Sequence, residues 1–241
     1  MDRRRPRTNS LSRFLATLDS ACLLCAQPAL DGSLCQRCFD HLPWLGDHCQ
    51  CCALPLSSTH HATELICGEC LSKPPAFAAT YSPLIYQGDA HLLLHHLKAN
   101  VDSAVFPLIG RLFAQHLPAL PMSLDLLLPV PLHPRRLFWR GFNQAHRIAF
   151  ELGDRYSITV SHRHLTRNHH QAAQQGKSRR QRLGAMSALF TATALEGKTV
   201  ALVDDVMTTG ATLRAAAKAC KRAGADAVYC LVVARTPDHK T

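Results

Sequence analysis

Nowhere in this sequence does an apolar run approach the ~18 residues that a membrane-crossing helix needs, so no membrane span is expected. Aromatic side chains are scarce, at 6% of residues, which weakens a reading as a surface that stacks single-stranded bases. Acidic residues are scarce in one place. Between Pro131 and Arg182 only Glu151 and Asp154 stand against eleven Lys or Arg, so this segment holds +9 of the chain's formal +10. Such a segment suits a nucleic-acid face or a pyrophosphate-binding surface, and charge alone does not choose between them. A Walker-type phosphate loop is also missing. Gly176-Lys177-Ser178 resembles its end, but the loop needs a glycine five places earlier, where Gln171 stands, and no strand precedes it. There is no internal repeat beyond the cysteine pairs below, and the fifteen histidines form no clean constellation.

The N-terminus mimics a secretory leader, but Arg13 and Asp19 interrupt its apolar part. Leu11, Phe14, Leu15 and Leu18 fall instead on one face of an amphipathic helix. The chain is therefore read as cytoplasmic.

Cysteine is abundant, with eleven in 241 residues. Cys22/Cys25, Cys35/Cys38, Cys49/Cys52 and Cys67/Cys70 form four C-x-x-C pairs. A two-residue spacing lets both thiolates of a pair point at one metal, and two such pairs complete a tetrahedral Cys₄ zinc site. The expectation is two structural zincs rather than disulfides. Spacing leaves open whether the pairs combine in sequence or interleaved; sequential use is simpler, since each pair then closes a short loop. Cys51 reads as a bystander, and Cys220 and Cys230 as small core residues.

Residues 1–20 read as a basic tail with one short helix, 21–73 as the cysteine-rich module, 74–80 as a proline-stiffened linker, and 81–241 as the main domain. In that domain strands are expected at Tyr81–Tyr86, Asp125–Pro129, Ile158–Leu165, Val200–Val203 and Ala227–Ala234. Helices are expected at Asp89–Lys98, Val101–His116, from Asn143 onward, and at Leu213–Ala223. Alternation of this kind implies an α/β fold with a doubly wound parallel sheet.

The segment "VALVDDVMTTGATL", Val200 to Leu213, carries the chemistry. Its apolar run reads as a buried parallel strand, which puts Asp204 and Asp205 at the carboxyl edge where open α/β sheets bind ligands. Thr208, Thr209, Gly210, Ala211 and Thr212 form a small-residue loop at a helix N-terminus, an anion site suited to a phosphate. Two carboxylates before it repel a second phosphate and suit vicinal hydroxyls. Together they ask for a ribose 5′-phosphate.

This segment resembles the 5-phosphoribosyl-1-pyrophosphate (PRPP) motif of type I phosphoribosyltransferases. The segment "LLLPVPLHPRRLFWRGFNQAHRIA", Leu126 to Ala149, is similar to one in the ComF family (also called GntX), bacterial proteins with an N-terminal double zinc ribbon and a phosphoribosyltransferase domain. The cysteine pairs, Lys98 in "HLK" and both segments occur in the family's order. The resemblance implies a Mg²⁺-dependent phosphoribosyltransferase, a glycosyltransferase. Asp204 and Asp205 would be catalytic and bind PRPP with the 208–212 loop. Arg135 or Arg136 is the candidate for the pyrophosphate, with Arg140, Asn143 and Gln144 next. It further implies a link to DNA uptake or use, including competence, with single-stranded DNA or a DNA-uptake protein as candidate partner. The alternatives are a non-catalytic PRPP or nucleotide sensor, and a DNA-binding factor that uses the zinc module. After Leu165 and Arg167 the chain departs from the family: Gln171 stands where Thr is usual and Ala185 replaces Asn, while Gln174, Arg182 and Phe190 match. That stretch is the expected hood over the site.

Overall fold

A computed structural model describes residues 21–29, 33–56, 65–99, 105–117, 119–120, 123–168 and 189–238. The expected N-terminal helix and the hood positions Gln171, Gln174, Arg182 and Ala185 lie outside the described residues. Among the described residues no helix is long and apolar enough to cross a membrane. The chain divides into two compact units, Met1–Leu42 and Pro43–Thr241. The 74–80 segment expected as a linker therefore lies inside the second unit.

The first unit is built on cysteines. Cys22 opens a tight turn in which Ala26 N–H donates to the Cys22 carbonyl at 2.9 Å, with Ala26 at φ 58°. Cys35 caps helix α1, Gln36–Asp40, whose Phe39 is buried, and Leu34 and Leu42 are buried on either side of it in the chain. So few apolar groups among the described residues leave a metal as their natural support.

The second unit repeats that plan and then continues. Ala53 N–H donates to the Cys49 carbonyl at 2.7 Å, with Ala53 at φ 54°, and Cys67 caps α2, Gly68–Ser72. The main sheet follows. Its strands are β1 Thr80–Tyr81, β2 Leu84–Ile85, β3 Leu126–Pro129, β4 Thr159–Val160, β7 Thr199–Met207 and β8 Ala227–Arg235. Their order is β1-β8-β7-β3-β4, with β2 also on β8, and every pairing is parallel. Three-residue strands β5, Leu165–Arg167, and β6, Phe190–Ala192, form a separate antiparallel pair.

Alternation along the strands sends side chains to two faces. Leu126, Leu128, Val200, Leu202, Val228, Cys230 and Val232 share one buried cluster with Leu213, Ala216, Ala217 and Cys220 of α7, Ala211–Arg222. Cys49, Cys52, Cys67, Cys70 and Phe77 belong to that same cluster. Leu127 points the other way, toward α6, Gln144–Tyr156. There Gly153 sits so close that an added Cβ would lie 2.7 Å from Val160 and 2.8 Å from the Ile158 carbonyl. Helices α3, Asp89–Ala99, and α4, Val105–His116, bury Leu93, Leu94, Leu97, Phe106, Ile109 and Phe113. The sheet is thus doubly wound, as the alternation of elements requires.

Several expected elements differ in detail. The strand expected at Tyr81–Tyr86 is two short ones, because Pro83 has no N–H to give the ladder. Ile158–Leu165 breaks at Ser161–His164, and its last part joins the antiparallel pair. Helix α5, Pro134–Arg140, was not expected from the apolar pattern, yet it has full end signals. His133 caps it, Pro134 opens it and Gly141 ends it at φ 74°.

Candidate functional site

The acidic pair lies within β7 rather than after it. On one side, β3 stops pairing at Pro129↔Val203; on the other, β8 stays paired as far as Met207↔Arg235. Asp204 and Asp205 therefore stand at the carboxyl edge where one neighbour has turned away. Val130 N–H donates to the Val203 carbonyl at 2.9 Å as β3 leaves. The carboxylates are held by local amides: Asp205 N–H donates to Asp204 Oδ1 at 2.9 Å, and Val206 N–H to Asp205 Oδ1 at 2.8 Å. Burial, then the neighbouring Asp205 charge, raises the Asp204 carboxyl well above the ordinary aspartate range.

Thr208 to Thr212 follow directly. Gly210 takes φ 73° as N-cap of α7, and Thr209 Oγ1 accepts from Ala211 N–H at 3.4 Å. Asp204, Thr208, Gly210, Ala211 and Thr212 line one small hollow. Its amides and the positive end of the α7 dipole suit an anion. A pair of adjacent carboxylates is an oxygen donor set that fits a hydrated Mg²⁺.

Two basic residues not expected in the site join it. Lys98, near the end of α3, places Nζ 3.3 Å from Asp205 Oδ2. Arg167, in β5, donates from Nη1 to the Pro131 carbonyl at 3.4 Å, and its buried Nε has no hydrogen-bond partner. Burial pushes its guanidinium down, Arg136 adds to this, and Asp204 opposes it. Arg167 is thus within electrostatic reach of both. Arg135 and Arg136 themselves are exposed on α5, past the loop that leaves β3. Arg140, Asn143 and Gln144 have structural partners. Asn143 Nδ2 donates to the Val130 carbonyl at 3.0 Å and its Oδ1 caps α6, while Arg140 donates to Gln144 Oε1 at 3.1 Å. Beyond the same loop lies a cavity of about 640 Å³, lined among others by Pro131, Phe142, His146, Phe150 and Arg167.

The cysteine pairs combine sequentially. Cys22, Cys25, Cys35 and Cys38 form one cluster and Cys49, Cys52, Cys67 and Cys70 the other, each with all ligand atoms within 4.8 Å of one another. Cys25–Cys35 and Cys52–Cys67 sulfurs are 3.7 Å apart. A zinc tetrahedron with Zn–S near 2.3 Å has edges of about 3.8 Å, whereas a disulfide needs about 2.05 Å. Zinc fits both clusters. Cys67 N–H also donates to Cys49 Sγ at 3.3 Å, as it would to a thiolate. The Cys52 thiol bonded to Cys49 holds Cys49 down at about 4, and the same contact pushes Cys52 up. Cys51 instead faces the Ala78 carbonyl at 3.6 Å.

Family models agree with this division of labour. The double zinc ribbon domain matches residues 16–71 and the phosphoribosyl transferase domain residues 140–241. The DNA utilization protein YhgH of Escherichia coli O157:H7 is 30% identical over 231 residues, spanning 92% of this chain and all of that one. Its Salmonella typhimurium counterpart is 31% identical over 230 residues, with the same shares. Competence protein F of Haemophilus influenzae is 28% identical over 213 residues, 83% of this chain and 88% of that protein. The chain belongs to the ComF family. In this ComF-family chain the ribbon model spans both cysteine clusters, whereas the transferase model takes in the acidic pair and its loop but not Lys98 or Arg135 and Arg136. Lys98 lies near the end of a leucine-rich helix far back in the chain, and "HLK" is the one sequence signal that marks it.

Proposed function

We propose that this protein binds PRPP with Mg²⁺ at the carboxyl edge of the sheet and transfers its phosphoribosyl group to a base or nucleotide-related acceptor, in the service of DNA utilisation or competence. One observation carries the reading. An acidic pair runs without a break into an amide-rich, threonine-rich loop at the edge of a parallel sheet. The loop takes the 5′-phosphate, and Asp204 and Asp205 take the 2′- and 3′-hydroxyls. Arg135 or Arg136, with Arg167, takes the pyrophosphate end, and Lys98 stands beside Asp205. Mg²⁺, when bound, offsets the charge of the pyrophosphate, and the acidic pair would hold it through water. Positioning and charge stabilisation do the work. The C1–oxygen bond breaks with its electron pair going to pyrophosphate, and the acceptor's lone pair makes the new bond to C1. The relatives named for DNA utilisation and competence support the cellular setting.

The test is thermal. A ligand that binds only the native state raises Tm, so Mg²⁺ with PRPP should raise it while ribose does little. Asp204→Asn with Asp205→Asn should abolish the rise; an undiminished rise places the site elsewhere.

A second reading, contact with single-stranded DNA, is favoured by α5. Phe138 and Trp139 are each 83% exposed, beside exposed Arg135 and Arg136. Rare as aromatics are in this chain, two stand free where bases could stack. Oligo-dT should quench Trp139 fluorescence, less so as salt rises. Phe138→Ala should weaken that binding and leave the PRPP-induced Tm rise intact. Quenching that survives high salt and the Phe138 change argues against α5 as the contact.

A further inference from the structure

Arg235 ends β8 and is 6% exposed. Its guanidinium joins two places that chemistry would separate. Nε donates to the Cys52 carbonyl at 2.9 Å. Nη1 donates to the carbonyls of Met207 at 3.1 Å, Thr208 at 2.6 Å, and Thr236. A buried cation thus ties a residue of the second cysteine cluster to the residues that open the phosphate loop. Arg214 does the same from the loop's far end, in the first turn of α7. Its Nη1 donates to the Lys73 carbonyl at 2.9 Å, and Nη2 lies 3.6 Å from Cys70 Sγ and 3.4 Å from Glu69 Oε1. Between these ties Met207 and Leu213 share one buried core with all four cysteines of the cluster.

The charges match as well. Four thiolates around one zinc ion leave two net negative charges. Arg235 bonds carbonyls, and the carboxylate beside Arg214 is two-thirds exposed. A loaded second cluster puts negative charge against the half-buried Arg214, whose Nη2 lies beside Cys70 Sγ, while Arg235 reaches the cluster through the Cys52 carbonyl. Empty, the cluster is four mutually crowded thiols, Arg214 loses the negative charge beside it, and the Cys52 carbonyl held by Arg235 loses its anchor.

We propose that zinc at Cys49, Cys52, Cys67 and Cys70 is coupled to the phosphate loop through Arg214 and Arg235, positioning residues that make PRPP affinity depend on the occupancy of this one cluster. The coupling rests on the PRPP reading above. It works by geometry: the loaded cluster fixes the Cys52 carbonyl and the α2 end, the arginines carry that placement to both ends of the loop, and the loop's amides keep their aim. The first cluster, in the other compact unit, serves as the internal control.

Coupling is reciprocal, so PRPP must hold zinc as firmly as zinc favours PRPP. The measurement is zinc release from the full chain to a zinc-binding dye, with and without saturating PRPP and Mg²⁺. Cys22→Ser assigns which phase belongs to the first cluster. PRPP should slow release from the second cluster by about tenfold and leave the other phase unchanged. Arg214→Ala and Arg235→Lys should keep two zincs per chain yet lose that protection and weaken PRPP binding. Cobalt(II) in the second cluster gives a direct signature: its thiolate absorption should shift when PRPP binds, and shift less in Arg214→Ala. If PRPP raises Tm but slows neither phase, or slows both equally, the coupling is wrong. If PRPP gives no rise in Tm, the PRPP reading fails first and the coupling falls with it.

Discussion

Lys98 and Asp205 meet at the edge of the sheet, Nζ to Oδ2 at 3.3 Å, with the ammonium 5.8 Å from the centre of the Tyr86 ring. The pair is partly open to water, its side chains 27% and 18% exposed. A partly exposed ion pair contributes up to about 1 kcal/mol, so its structural weight is small. Its functional weight is larger, because the lysine sits on a carboxylate oxygen that a metal ion would use. Lys98→Met removes a positive charge from beside that position. The Mg²⁺ concentration for half of the PRPP-induced Tm rise should fall by about threefold, since a like charge within a few ångströms opposes a cation. In the absence of Mg²⁺ the variant should melt slightly below wild type. A Mg²⁺ titration followed by melting checks both, and an unchanged half-point counts against Lys98 sharing Asp205 with the metal.

Asp204 predicts a pH dependence. Its folded carboxyl is raised, by burial first and Asp205 second, above the unfolded value of about 3.9. A raised acid stabilises the fold while protonated, and this contribution is lost as pH climbs through the folded value. Asp204→Asn cannot lose it. The variant should therefore gain on wild type as pH rises above the unfolded aspartate value of about 3.9. It should also lose the response to PRPP. Urea unfolding at several pH values reads the slope; parallel curves for the two proteins would sink the assignment.

Gly210 sits at φ 73° between the threonines. An added Cβ would meet the Met207 methyl at 2.6 Å, a contact that a flexible end can relieve. The backbone cost remains, about 1–2 kcal/mol for a left-handed residue with a side chain. Gly210→Ala should lose that much stability, and a larger share of PRPP affinity, because the loop's amides no longer converge. Gly46, with open space around its Cα and no positive φ, is the control: Gly46→Ala should change neither.

Metal analysis should find two zincs per chain. Cys22→Ser and Cys67→Ser should each lose one, with unequal consequences. Cys67 belongs to the core that covers α7 and one face of the sheet, so its loss should lower the main unfolding transition by several kcal/mol. Cys22→Ser should leave that transition nearly in place. Equal effects would contradict the division at Leu42.

What the sequence reveals here is what lies within about a dozen consecutive residues. The run from Val200 to Thr212 states its chemistry locally, and a two-residue cysteine spacing states a metal knuckle. How far β7 extends is not local. An apolar count ends it at Val203, but β8 continues the pairing to Met207. Helix α5 carries its end signals in His133, Pro134 and Gly141, yet its aromatics face outward, so no buried stripe marks it. Lys98, Arg167, Arg214 and Arg235 act through contacts with residues tens of positions away. A charged residue at the end of an apolar element looks alike whether it faces water or a carbonyl, and only the fold separates the two.

The boundary at Leu42 also bears on how such a protein can be taken apart or recombined. The ribbon match spans both cysteine clusters, but the two ribbons are not equally detachable. Exchanging residues before Pro43 for those of a relative replaces one compact unit at its boundary. Exchanging the second ribbon alone would strip the cover from α7 and leave Arg214 and Arg235 reaching for the carbonyls of Lys73 and Cys52 in a foreign segment. The second ribbon and these two arginines should therefore be inherited as a set, and a chimera joined at residue 73 should fail where one joined at residue 42 succeeds.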